Sequence, residues 1–353
     1  VHLSGASADL VSFAEKANIP VINTLHGTGA FPRNHELALG MLGMHGMYWS
    51  NIAVDQCDLI LGLGMRFDDR ITGKPGTFAP SAKIIHVDIE TSQIGKNVPT
   101  HVGLIGDVNM VLNNLLPMVN KSNRTSWRKQ IDALRNEHRS LDIPQSNNLL
   151  AQHVLQDLND LIQDDDDPIA VTGVGQHQMW AAQYLFFNNP NAFISSGGLG
   201  AMGFEIPAAM GAQVARQNAS VWSIAGDGGF QMTLQELATI VQENLPVKIA
   251  IFNNGHLGMV RQWQELFYDE RYKSVPVPGP DFVKLAEAYG IPGLRITKRE
   301  DVKRALVKAQ NHPGPFLIDF VIEHQSNVYP MVPVGASLSE TVEDPRTIIE
   351  AQP

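Results

Sequence analysis

The stretch SVWSIAGDGGFQMTLQELATIVQENLPVKIAIFNNGHLGM, residues 220–259, decides the fold. Residues 221–225 and 247–252 are short apolar runs, and between them Leu234, Leu237, Ile240 and Val241 recur at helical spacing. The order is strand, glycine turn, helix, strand and polar turn, which is one βαβ unit. Such crossovers are right-handed and join parallel strands, so Gly226-Asp227-Gly228 and Asn253-Asn254 both fall at carboxyl ends of strands and face one crevice. Open α/β sheets bind their ligands there. The crevice offers a carboxylate, a carboxamide and glycines that let backbone come close to a ligand. An acid with an amide oxygen suits magnesium, which keeps phosphate oxygens among its ligands, so these residues imply a phosphorylated cofactor.

Outward from this unit the chain repeats the same alternation. Upstream, residues 149–162 read as helix, 169–172 as strand, 179–187 as helix, 192–195 as strand and 206–217 as helix. Downstream come helix 281–289, strand 294–297, helix 300–310 and strand 315–322. Residues 1–118 show the same pattern, with helices at 10–17, 51–56 and 110–119 and strands at 21–24, 59–63, 83–88 and 101–105. Short, uninterrupted apolar strands are what a parallel sheet covered on both faces requires. The fold class is therefore α/β, with two doubly wound parallel-sheet domains. Domain boundaries follow from composition: 1–118, a polar linker 119–148 with one helical patch at 126–139, 149–323, and a proline- and glycine-punctuated tail or flap 324–353. The opening HLSGASADLVSFAEKA supplies a turn and helix without the strand that should feed them, so a first strand is expected upstream.

Composition narrows the function. The 353 residues suffice for two domains with sizeable cores, and 44% hydrophobic against 18% charged residues describes a globular protein. A formal charge of −10 with no basic block argues against nucleic acid. No apolar run approaches the ~20 residues of a membrane span. The single Cys57, in VDQCDLILGLG, lacks a cationic neighbour and reads as a core thiol in a reducing, cytoplasmic compartment. The acidic run QDDDDP at 163–168 lacks the alternation and glycine of a calcium loop and reads as a solvated surface.

Two further stretches carry chemistry. Gly173-Val174-Gly175-Gln176-His177 follows a strand and opens a helix, presenting backbone N–H groups to an anion; His177 alone reads as a capping or packing residue, and beside Asp227 and Asn254 as a diphosphate contact. Gly62 and Gly64 in LILGLGMRF invite a dinucleotide fingerprint, but Phe67 takes the place of its last glycine, which leaves a glycine turn at a strand end. Asp88, closing the strand IIHVD, suits a ribose hydroxyl.

Gly-Asp-Gly, a spacer of this length and Asn-Asn resemble the signature of thiamine diphosphate enzymes. TGVGQHQMWAAQ at 172–183, SSGGLGAMGFEIPAAMGAQ at 195–213, NNGHLGMVRQWQELF at 253–267 and RFDDRITG at 66–73 together resemble the catalytic subunits of acetohydroxyacid synthases, also called acetolactate synthases. The resemblance covers nearly the whole chain. It implies a carboxyl-terminal domain holding thiamine diphosphate through Val174, Gly175, Gln176, His177, Gly200, Met202, Gly226, Gly228, Gly229, Met232 and Met259. It implies Mg2+ on Asp227, Asn254 and the backbone carbonyl of His256, the imidazole not being a ligand. It implies a middle domain contacting FAD through Thr24, Leu25, Met44, His45, Gly64, Arg66, Asp68, Arg70, Asp88 and Asp107.

The resemblance also assigns roles. Met202 would wedge beneath the cofactor and bend it, where a buried methionine is otherwise filler; orientation of this kind contributes ~7–11 kcal/mol. The implied reaction decarboxylates pyruvate and joins the hydroxyethyl unit to a second 2-oxo acid, pyruvate or 2-oxobutanoate. Arg70 would take the second acid's carboxylate through its bidentate fork, and Trp263 would read its alkyl group, one methylene being worth about 1–3 kcal/mol. FAD would be structural. The glutamate that activates the cofactor would come from an amino-terminal domain of a neighbouring subunit, absent from this sequence. A homodimer or tetramer and a regulatory small subunit are the implied partners. Three alternatives stay open: another thiamine enzyme such as pyruvate oxidase or the FAD-independent acetolactate synthase, an inactive cofactor-binding fragment, and a nicotinamide-dependent dehydrogenase.

Overall fold

The computed structural model describes residues 1–347; residues 348–353, the end of the expected flap, lie outside the described residues. The chain forms two compact units, one of residues 1–144, 187–191 and 329–347, the other of residues 145–186 and 192–328.

The first unit contains α1 (Ser7–Ala17), β1 (Val21–Asn23), β2 (Ala38–Met41), α2 (Tyr48–Gln56), β3 (Leu59–Leu63), α3 (Asp69–Thr72), β4 (Lys83–Asp88), β5 (Val102–Ile105), α4 (Val108–Leu115) and α5 (Thr125–Glu137). Every strand pairing is parallel, in two sheets: β1 with β2, and β3-β4-β5. Leu10, Phe13, Ala14 and Ala17 recur on one face of α1 and pack against Val87, Val108 and Leu112. Asn18 ends that helix in the left-handed conformation, φ 53°, its N–H on the carbonyls of Ala14 and Glu15. The stretch 119–148, expected as a linker, includes α5, whose Ile131 is buried with Leu39, Met47 and Trp49; the compact unit therefore extends to residue 144. The tail beyond residue 328 also packs on this unit through Val332 and Leu338.

The second unit contains α6 (Ala151–Gln163), β6 (Pro168–Thr172), α7 (Gln176–Tyr184), β7 (Phe193–Ser195), α8 (Glu205–Ala215), β8 (Ser220–Gly226), α9 (Asp227–Thr233), α10 (Leu237–Gln242), β9 (Lys248–Asn253), α11 (Gly258–Phe267), α12 (Phe282–Ala288), β10 (Gly293–Ile296), α13 (Arg299–Gln310) and β11 (Phe316–Val321). Its six strands make one parallel sheet in the order β10-β11-β9-β8-β6-β7. Strands β8 and β9 are buried almost end to end, because helices cover both faces. Ile169, Val171, Val221, Ile249, Ile251 and Leu317 from the sheet meet Ile206, Phe230, Leu237, Ile240 and Phe282 from the helices in one core. Each such side chain contributes about 1.5–3 kcal/mol by leaving water. From β6 the chain first steps outward to β7 and then returns to β8 on the other side of β6, so the winding reverses between β6 and β8. That switch point is where a sheet of this kind opens a ligand crevice.

Among the described residues no helix is long and apolar enough to cross a membrane.

Candidate functional site

The turns after β6, β8 and β9 carry the residues singled out in the central βαβ unit. Asp227 opens α9 directly after β8, and its two oxygens accept from Gly228 N at 2.8 Å and from Gly255 N at 2.7 Å. The second bond crosses from the end of β8 to the turn after β9. In that turn Asn254 Oδ1 accepts from His256 N at 3.0 Å, and Asn254 Nδ2 donates to Gln176 Oε1 at 3.3 Å, which brings in the turn after β6. Gly255, at φ 67°, adopts the left-handed backbone that lets the turn fold back this tightly. The His256 ring turns back on its own loop: its Nδ1 meets Asn254 O at 2.9 Å and it stacks on His324, with centroids 5.4 Å apart.

Burial sets the electrostatics. It pushes the Asp227 carboxyl up to about 6, against the pull of the Gly228 and Gly255 N–H groups. It pushes the His177 imidazole down to about 4, so the ring is neutral, and His177 Nε2 is buried with no hydrogen-bond partner. The ring lies against Gly175 and Gly226, where a side chain would collide at about 3 Å. Gly175, φ 146°, is the N-cap of α7 and provides no side-chain cap, so the first N–H groups of that helix face the crest without one.

Gln176 and Gln262 organise the surroundings. Gln176 Nε2 donates to Gln262 Oε1 at 3.0 Å and to Ser326 O at 2.9 Å, while Gln262 Oε1 also accepts from Val328 N at 2.8 Å. Arg261 and Glu265 on the same helix hold Asn327. The apolar candidates sit around Gly228: the Met202 methyl and Leu257 both come within contact of the space a Gly228 side chain would fill, at 3.4 and 3.2 Å. Gly200 neighbours Val174, Met232 is 55% exposed beside Gly203, Met259 opens α11 half-buried, and Trp263 packs edge-on to Phe267 at 5.5 Å. The structure thus gathers Val174, Gly175, Gln176, His177, Met202, Gly226, Asp227, Gly228, Gly229 and Asn254 into one end of the sheet.

The second group of candidates lies in the other unit, at the carboxyl ends of β3, β4 and β5 and, for Thr24, Leu25, Met44 and His45, in the segments after β1 and β2. Gly64 (φ 62°) donates its N–H to Val87 O, and Asp88 O accepts from Gly106 N, so Gly64, Asp88 and Asp107 follow neighbouring strands. Asp88 Oδ1 accepts from Glu90 N at 2.8 Å. Asp107 caps α4 through Asn109 N at 2.9 Å, and its carboxyl is held low chiefly by the Ser4 hydroxyl. Arg66 Nε donates to Asp68 at 2.8 Å; Arg70 is 62% exposed beside Asp69. Met44 N donates to Arg70 O, Met44 O accepts from Val332 N, and the buried His45 meets Pro330 O through Nδ1. Thr24 caps the short turn that begins at Leu25.

Two residues around the Asp227 crest escape a reading of the sequence. Gln262 was hidden because α11 buries its polar residues, and Glu205 because an acid in a helix's first turn is ordinary. Among the described residues no three His, Cys, Asp or Glu side chains form a metal-binding group. A cation here would take one carboxylate, one amide oxygen and one backbone carbonyl, a donor set that suits magnesium with phosphate. The uncapped start of α7, the partnerless His177 Nε2 and the bare glycine turns fit a diphosphate group.

Residues 173–320 match the family model of the C-terminal TPP binding domain of thiamine pyrophosphate enzymes, and residues 1–115 match the model of their central domain. An acetolactate synthase of Mycobacterium leprae (strain TN) is 46% identical over 348 residues, covering 95% of this chain and 55% of that protein. Acetolactate synthase 1, chloroplastic, of Nicotiana tabacum is 44% identical over 353 residues, 96% of this chain and 53% of that one. The acetolactate synthase isozyme 2 large subunit of Escherichia coli (strain K12) is 45% identical over 345 residues, 97% of this chain and 62% of that one. The chain therefore spans somewhat more than half the length of these relatives. With two domain models matched in sequence order and this identity sustained across nearly all of it, the chain belongs to the thiamine pyrophosphate enzymes, as a homologue of the acetolactate synthase catalytic subunits.

Proposed function

We propose that the protein works as an acetolactate synthase catalytic subunit, which decarboxylates pyruvate and joins the hydroxyethyl unit to a second 2-oxo acid, the first common step of branched-chain amino-acid biosynthesis. The observation that carries this reading is the meeting of Asp227, Asn254 and Gln176 at the switch point, beside the uncapped start of α7 and the partnerless His177 Nε2. Thiamine diphosphate, when bound, supplies the electron sink for decarboxylation. Asp227, Asn254 and the His256 carbonyl would hold its Mg2+, and Val174, Gly175, Gln176 and His177 its phosphates. Met202 supports the cofactor from the Gly228 side, and Trp263 offers an aromatic face that favours the larger alkyl group of 2-oxobutanoate. Arg70 is the carboxylate partner in this scheme.

FAD belongs to the reading as a structural group at Gly64, Arg66, Asp68, Asp88 and Asp107. A homo-oligomer and a regulatory small subunit also belong to it, the words "large subunit" in the name of the Escherichia coli relative supporting the latter. A cytoplasmic location accords with Cys57, whose thiol is pushed up to about 11 by burial and so stays protonated and unreactive. Assay of acetolactate from pyruvate, with both cofactors and magnesium, tests the activity, and absence of product in the intact protein overturns it. Flavin absorbance during anaerobic turnover tests the role of FAD: it stays constant if the flavin is structural, whereas bleaching in step with product formation favours an oxidase.

A further inference from the structure

Glu205 is fully buried, and neither of its carboxyl oxygens has a hydrogen-bond partner. It opens α8, the helix that packs on both β6 and β8, so its side chain lies beneath the point where the winding of the sheet reverses. One oxygen, Oε2, presses on Gly173 in the turn after β6; the other, Oε1, lies 2.7 Å from where a side chain at Gly229 would begin, in the first turn of α9. Both turns are bare glycine just where the carboxyl passes. No substitution at either glycine is possible without displacing the acid, so the three residues form one interlocked unit.

We propose that Glu205 is a positioning residue of the cofactor crest, a neutral carboxylic acid wedged between the Gly173 and Gly229 turns that sets the distance between them. This rests on the reading of the crest as the thiamine diphosphate site. An isolated carboxylate in such a place would keep neither water nor a counter-ion, and burial accordingly pushes the group up to about 7, only partly opposed by the nearby N–H groups of Glu205 and Gly203, which lack bonding geometry. The titratable side chains on the elements around it are His177 on α7, Asp227 on α9 and the half-buried Glu236 in the turn after α9. His177 lies against Gly175 and Gly226, and Asp227 is committed to Gly228 and Gly255. No cation faces Glu205 from these elements. A diphosphate seated on the glycine turns adds negative charge and favours the protonated acid further, so cofactor binding and protonation of Glu205 reinforce one another.

The test is calorimetric titration of thiamine diphosphate, with magnesium in excess, into the intact protein and its Glu205→Gln and Glu205→Gly variants at about pH 6 and about pH 8. Reading each variant against the wild type cancels the cofactor's own phosphate titration. If only the protonated acid is compatible with the bound state, wild-type affinity falls about tenfold across this range relative to Glu205→Gln, which keeps the shape without the charge. Glu205→Gly, which empties the wedge, weakens binding at both pH values. Thermal melting without cofactor gives a second readout. A folded-state value raised from 4.5 to about 7 means the native state holds a proton the unfolded state has lost, so stability falls as pH rises through that window, and Glu205→Gln abolishes this part of the slope. The proposal is overturned if Glu205→Gln loses affinity with pH in step with the wild type, or if Glu205→Gly binds as tightly as the wild type at both values. A wild type that binds no cofactor at either pH removes the crest reading itself, and the proposal with it, a result plainly different from unchanged pH profiles.

Discussion

At the carboxyl ends of β3, β4 and β5 the polar groups largely satisfy one another, whereas around the ends of β6 and β8 a buried imidazole nitrogen and a whole buried carboxyl stay unpaired beside the bonded Asp227 and Gln176. Arg66 holds Asp68, Asp88 holds Glu90 N and Asp107 holds Asn109 N; one buried Asp68 oxygen is left over. At the second crest His177 Nε2 and both Glu205 oxygens are buried without partners, packed where side chains at Gly173, Gly175, Gly226 and Gly229 would otherwise lie. Each unsatisfied buried group costs roughly 1–3 kcal/mol, a strain that a complementary ligand or a proton relieves. The first crest, with one oxygen of Asp68 left over, would bind a ligand largely by exchanging existing bonds. The second has more buried groups for a ligand or a proton to satisfy. Affinity should therefore hang steeply on a few residues in the second unit and shallowly on many in the first.

The largest expected effect follows at Asp227. Asp227→Ala removes the one carboxylate of the cation's donor set and the bond that ties β8 to Gly255, so magnesium-dependent thiamine diphosphate affinity should fall about a hundredfold or more while circular dichroism is unchanged. Undiminished heat of binding would break the comparison at its strong end. An intermediate effect belongs to Trp263. Trp263→Leu should leave the decarboxylating half-reaction intact and reduce the preference for 2-oxobutanoate over pyruvate about tenfold, the worth of one methylene at an aromatic wall. Its measure is the product ratio when the two acids compete; an unchanged ratio with a lowered melting temperature would make Trp263 a packing residue. The smallest effect is expected at Asp88. Asp88→Ala takes away one of several contacts and should weaken FAD about fivefold, near 1 kcal/mol, by flavin fluorescence titration. A loss as large as that at Asp227 would erase the contrast between the crests.

Much of this was legible in the chain. Strands β3 and β4 fall on the apolar runs 59–63 and 83–88 without a shift, and the βαβ unit at 220–259 is present with both polar turns at strand ends. Strand β2, Ala38–Met41, was not legible: ALGM has no β-branched residue and a glycine at its centre, and its identity as a strand comes from pairing with β1. Helix α11 was missed for the opposite reason. It buries Arg261 and Gln262 and exposes Val260, Leu266 and Phe267, so its apolar periodicity points away from the core and its polar residues toward it. In the site, Asp227 and Asn254 announced themselves by residue type next to glycine. Glu205 and Gln262 did not, since only tertiary packing shows that the one is partnerless and the other bonded on both sides to the segment at 326–328.

The bond from Gly255 N to Asp227 bears on how the protein ages. Asn254-Gly255 is the dipeptide most prone to spontaneous loss of ammonia, because the unhindered glycine nitrogen can attack the neighbouring carboxamide and close a succinimide ring. Here the nitrogen's N–H is held by Asp227, and the carboxamide is pinned at both ends, by His256 N and by Gln176. Closing the ring would mean turning the carboxamide carbon onto that nitrogen, out of the orientation that the bonds to His256 N and Gln176 hold. The contacts that shape the crest thus also slow the conversion of the Asn254 carboxamide into a second carboxylate.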